Sequence, residues 1–98
     1  MDIKIIKAPS QGCLNIIEKR SNLSFKDFRP GALGLVQGKI IEMICASDIA
    51  EKCVGVKVSD VRGSCPQNFV LLAIVGEISE VEMALRTIKE KSEEMSNW

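Results

Sequence analysis

The chain has 98 residues, with 13 Lys and Arg against 13 Asp and Glu, and it has no His. That is enough for one domain that buries about two-thirds of its unfolded surface. A net charge of zero gives nucleic acid no basic footprint, and without His there is no imidazole base, no Ser-His-Asp or Cys-His pair and no His-ligated zinc.

There is no Tyr, and the one Trp ends the chain, which leaves no aromatic platform for stacking bases. No apolar run reaches the roughly 18 residues of a membrane span. Met1-Asp2-Ile3-Lys4 opens without the apolar stretch of a signal peptide. The expected setting is the cytoplasm, with neither nucleic acid nor a membrane as partner. The four cysteines, Cys13, Cys45, Cys53 and Cys65, form no C-x-x-C pair, so free thiols are expected.

In chain order, Ile3-Lys4-Ile5-Ile6 is a β-type run that stops at Pro9. Ser10 then caps a short helix over Gln11–Arg20, with Cys13, Leu14 and Ile17 on its inner face. Residues 21–30 have no sustained period and end in Pro30-Gly31. They read as a loop anchored by Phe25 and Phe28. Ala32–Val36 is a compact apolar strand that Gly38 breaks. A helix follows from Lys39 to Cys53, its buried stripe being Ile41, Cys45, Ile49 and Cys53, widened by Ile40 and Ile44. From Val54 to Val61 apolar and polar residues alternate, as in a half-buried strand. Phe69–Val75 is continuously apolar, consistent with a central strand, and Gly76 ends it. Ser79-x-x-Glu82 has the pattern of a capping box. The last helix runs to Ser96 with Ile78, Val81, Leu85, Ile88 and Met95 on one stripe.

The order β-α-loop-β-α-β-β-α predicts an α+β fold: one domain with a small antiparallel sheet and the two long helices on one face. The other face needs solvent or a partner. Between the last two strands lies Arg62-Gly63-Ser64-Cys65-Pro66-Gln67-Asn68. Gly63 and Pro66 favour a turn that carries Cys65 at its tip. A thiol there goes against the burial preference of cysteine. Cys65 either folds under the loop as a small apolar filler or serves as a soft ligand for an iron–sulfur cluster or zinc. One thiolate per chain cannot hold a cluster, so a cluster requires several copies around an axis. Cys13, Cys45 and Cys53 read as packing residues on helix faces.

Three stretches now stand out together: Pro30-Gly31-Ala32-Leu33-Gly34-Leu35-Val36, the helix through Ala46-Ser47-Asp48-Ile49-Ala50, and Val75-Gly76-Glu77-Ile78-Ser79-Glu80-Val81. In this order and spacing, over residues 31–92, the chain resembles the bacterial microcompartment shell domain. The strand-Pro-helix unit that ends ordinary members comes first here. That is similar to the circularly permuted subclass, with residues 1–20 as the moved unit, 21–30 as the new connection and 31–98 as the core. The resemblance implies a cyclic homo-hexamer that tiles with other shell proteins around encapsulated enzymes. It implies that Gly63, Ser64, Cys65, Pro66, Gln67 and Asn68 line the central pore. Cys65 there is similar to the cysteine of iron–sulfur-binding shell proteins of glycyl-radical-enzyme microcompartments. It implies a 4Fe-4S cluster shared between subunits, with zinc as the alternative, for electron transfer or cluster delivery across the shell. Lys39 is the nearest match to the family's lysine at the hexamer edge. Ala8 and Ser10 stand where the family usually has the Arg and His of "P-R-P-H".

Two other classes compete. A small ligand-sensing regulatory domain would form a dimer or trimer with a cleft between subunits. An enzyme would need a base–nucleophile pair, and none is present to name.

Overall fold

The computed structural model describes residues 1–63 and 68–95. Its elements are β1 (Asp2–Lys7), α1 (Gln11–Arg20), β2 (Ala32–Lys39), α2 (Ile40–Glu51), β3 (Lys57–Val61), β4 (Phe69–Gly76) and α3 (Ile78–Met95). The four strands form one antiparallel sheet in the order β1-β2-β4-β3. This is the expected α+β architecture, drawn out to 41 × 31 × 17 Å.

Strand residues alternate between the two faces of the sheet. Ala32, Val36, Leu72 and Ile74 face α2 and α3 and form the larger core with Met43, Ala46, Ile49, Val81, Ala84 and Ile88. Leu33, Ala73 and Val75 point the other way, onto Ile17 of α1 and onto Leu23, Phe25 and Phe28. The second face therefore does not wait for solvent or a partner over this area. The short helix and the 21–30 connection cover it. Phe25 and Phe28 meet edge to face at 6.0 Å, and Lys57 Nζ lies 4.6 Å from the centre of the Phe28 ring. The buried Ser21 hydroxyl donates to the Ile17 carbonyl at 2.6 Å, and the Phe25 amide donates to Glu18 Oε2 at 2.7 Å. These bonds give the connection its shape where it has no ladder of its own.

The first helix starts as its sequence indicates. The Cys13 amide donates to Ser10 Oγ at 3.2 Å, the expected N-cap bond. The second helix does not. Gly38 does not break β2; it stays in the ladder opposite Val70, and α2 begins directly after Lys39. A Cβ at Gly38 would lie 2.8 Å from Glu42 Oε1 and 3.1 Å from Met43 Cε, the ends of two flexible side chains that would have to shift. Glu42 uses that space to fold back and accept the Lys39 amide at 3.0 Å. With no loop to turn in, the strand fixes the phase of the helix. Met43, Ala46, Ile49 and Ala50 face inward. Ile40, Ile41 and Ile44, expected on the buried stripe, are 43%, 73% and 66% exposed. Cys45 and Cys53 are half-buried, and Cys53 Sγ donates to the Ile49 carbonyl at 3.3 Å.

Two further boundaries move. The expected strand from Val54 begins only at Lys57, because residues 52–56 turn through Gly55 at φ +80° and leave Val54 84% exposed. The last helix begins at Ile78, with the Val81 amide donating to the Glu77 carbonyl at 2.9 Å. Ser79 thus lies inside the first turn and is not the N-cap that the capping-box pattern suggested. Val81, Leu85 and Ile88 are buried as expected, whereas Ile78 and Met95 are 38% and 42% exposed.

The rotated phase of α2 gives a direct test. Met43→Ala should cost about 2–5 kcal/mol, as for other large-to-small core changes. Ile41→Ala should stay within about 0.5 kcal/mol. Urea unfolding of the two variants measures the contrast, and the reverse ranking would restore the expected stripe. Asn68 has φ +59°, in the left-handed region. Asn68→Gly should therefore leave stability nearly unchanged in the same experiment, while Asn68→Val should cost about 1–2 kcal/mol.

Candidate functional site

The connection between β3 and β4 is the place to build from. The last β3–β4 pair is Val61 with Leu71, and β4 continues past it along β2 until Phe69 meets Lys39. Arg62, Gly63 and Asn68 thus lie outside the ladder. The expected pore-loop residues Ser64, Cys65, Pro66 and Gln67 lie outside the described residues. The two stems of the loop are described, and each is tied to a helix end.

On the first stem the Arg62 amide donates to the Arg20 carbonyl at 2.7 Å. Arg20 Nη1 returns a bond to the Arg62 carbonyl at 3.2 Å, and Arg62 Nη2 donates to the Lys19 carbonyl at 3.3 Å. Lys19 and Arg20 form the last turn of α1, where carbonyls lack intrahelical donors and the helix dipole favours cations. Arg62 satisfies two of those carbonyls and ties down the first stem of the loop in the same contact. On the second stem the Ile40 amide donates to the Asn68 carbonyl at 3.1 Å. That amide is one of the unpaired donors at the start of α2. Gly63 is exposed, and a Cβ there would meet nothing within 4 Å.

Sequence reasoning singled out the loop and missed its fastenings. The basic last turn of α1 is legible in Lys19-Arg20. The partner of that turn, 42 residues away at Arg62, leaves no local signal.

Lys39, the expected edge residue, is exposed at the loop end of β2, opposite Phe69. The other three cysteines are not brought together. Cys13 packs under α1 on the second face, and Cys53 packs against the core of the first. Cys45 lines a shallow groove with Ile41, Glu42, Ser92 and Met95. Among the described residues, no group of three or more His, Cys, Asp and Glu is placed to hold a metal ion. Among them, too, no helix is long and apolar enough to cross a membrane.

A scan against protein-family models and a search of the curated proteins found no match. Solved structures do match. The chain is similar to the ligand-free GrpU microcompartment shell protein from Clostridiales bacterium 1_7_47FAA, at 44% identity and a TM-score of 0.73, over 93% of this chain and 90% of that one. It is also similar to the ligand-free GrpU microcompartment shell protein from Pectobacterium wasabiae, at 31% identity and a TM-score of 0.71, over 90% of this chain and 99% of that one. With the strand-Pro-helix unit in first place, the four-stranded sheet and near-complete coverage at this identity, the chain belongs to the bacterial microcompartment shell proteins.

Proposed function

We propose that this shell protein is a structural tile rather than an enzyme: a cyclic hexamer whose six 63–68 loops converge on a central pore. Each loop presents Cys65 toward the axis, and the ring of thiolates holds one iron–sulfur cluster between subunits. The tile packs beside other shell proteins around encapsulated enzymes. The observation that supports this reading is the double fastening of the loop. Arg62 is bound to the end of α1 and Asn68 to the start of α2, so the ends of the Cys65 segment hold a fixed position in every copy.

The donor chemistry fits the cluster. A thiolate is the ligand that iron–sulfur clusters use, and a cluster needs up to four of them. Cys13, Cys45 and Cys53 are half-buried on other elements, so the thiolates have to come from Cys65 of several copies. When bound, the cluster supplies one-electron transfer across the shell, or a unit for delivery to an enzyme inside it. Ser64, Gln67 and Asn68 give the loop polar side chains. Without the cluster they would line a polar pore selective by width and hydrogen bonding. In this arrangement Lys39, opposite Phe69 at the loop end of the sheet, lies on the inner side of the subunit and not at the hexamer edge. The similarity to microcompartment shell proteins favours the tile over a ligand-sensing regulatory domain.

The test is anaerobic purification after iron–sulfur reconstitution, for the wild type and Cys65→Ser. Mass in solution, iron, sulfide and the visible spectrum are measured on each. A brown hexamer with iron and sulfide, turned colourless but still hexameric by Cys65→Ser, is the expected result. A colourless wild-type hexamer would remove the cluster and keep the tile, with zinc content deciding whether another metal takes its place. A monomer or dimer would contradict the tile.

A further inference from the structure

The second face of the sheet is covered unevenly. α1 and the 21–30 connection lie over Leu33, Ala73 and Val75. Toward the loop end of β2 and β4 the same face continues with Leu35, Gln37, Leu71 and Phe69. These line an open groove of about 380 Å³, the size of a small-molecule site. Its walls are Arg20 from the last turn of α1 and Arg62 from the loop stem.

The groove is cationic. Each guanidinium uses one N–H in the fastening described above and keeps the rest of its fork of donors. Among the described residues neither arginine meets a carboxylate. Lys39 extends the same face beyond Gln37 and is exposed. Gln37 is half-buried, and its side-chain amide has no hydrogen-bond partner among the described residues. The acids nearby are turned to other tasks. Glu18 of α1 accepts the Phe25 amide, and Asp60 of β3 lies on the opposite face. Asp2 shares this face opposite Gln37, but on the edge strand β1, where Lys4 is its next neighbour on the face.

We infer that this groove binds a small organic anion: a carboxylate between Arg20 and Arg62, with a short apolar body on Leu35, Leu71 and Phe69. The planar guanidinium fork matches a carboxylate, and apolar walls that exclude water strengthen the pairing. A cationic ligand would meet Arg20, Arg62 and Lys39, and a neutral one would leave their donors unused. All of these residues belong to one chain, so binding does not depend on the ring. The proposed tile adds a position. Gly63 lines the groove and begins the 63–68 loop, so in the tile each groove opens beside the pore.

The experiment is a ligand-observed NMR titration of the full chain at low salt with hexanoate, and with hexanol and hexylamine as its neutral and cationic counterparts. Hexanoate should bind at least about tenfold more tightly than either. Arg20→Gln should weaken hexanoate binding about tenfold. Because Arg20 also holds the loop stem, Gln37→Glu is the second variant. It leaves both arginines in place, puts a carboxylate into the groove, and should weaken binding by about tenfold or more. Lys52→Gln removes a cation far from the groove and should leave binding unchanged. Hexanoate that binds no more tightly than hexanol, or equally well to the wild type and Gln37→Glu, overturns the site. Mass in solution on the same samples reports the ring separately. A ring that does not bind hexanoate removes the site and keeps the tile, and a monomer that binds it removes the tile and keeps the site.

Discussion

The junction at Gly38–Lys39–Ile40 sets most of what distinguishes this shell domain. β2 passes into α2 with no intervening residue. Glu42 bonds back to the Lys39 amide through the space beside Gly38. The direction of the strand then dictates the rotation of the helix. Small Ala46 and Ala50 go inward beside Met43 and Ile49, and three isoleucines go outward. The same turn aims the Ile40 amide at the Asn68 carbonyl, so the helix start also holds one end of the loop between β3 and β4. Phase, exposed surface and loop position share one local cause.

The sheet carries the loop's other fastening. α1 covers part of the second face with Leu14 and Ile17 buried, and its last turn grips Arg62. In this chain the strand-Pro-helix unit at the N-terminus is therefore part of the support of the loop as well as an edge strand. The physical logic is that two helix ends, each with backbone groups left unpaired by the helix, are satisfied by the two stems. The loop and the helix ends solve each other's hydrogen-bonding problem.

Much of this was legible in the sequence because the local signals were unambiguous. Ser10 ahead of Gln11, the bare run of residues 21–30 with its two phenylalanines, and the apolar stretch ending at Gly76 each point to one structure. The α2 stripe was not legible, because Ile40, Ile41, Met43, Ile44, Cys45 and Ala46 make the helix apolar almost all round. Periodicity cannot choose a face there; only the strand feeding the helix can. Gly38 misled for a related reason, since a glycine that stays in a ladder beside a neighbour's side chain looks the same in sequence as one that ends a strand. Ser79 and Glu82 matched a capping pattern two residues inside a helix that had already begun. The candidate loop was legible from its odd composition, but its ties to Arg20 and Ile40 join residues far apart in the chain.

The proposed tile requires the Arg62 and Asn68 stems of several copies to meet around one axis. Electron cryo-microscopy of the assembled wild-type protein measures this directly. The account predicts a ring of six with β4 and the stems Arg62 and Asn68 pointing inward, α1 and α2 ends nearest the axis, and the opposite ends of α2 and α3 at the rim. A ring with those stems on its outer perimeter, or an assembly whose copies pair about two-fold axes through α2, would contradict it.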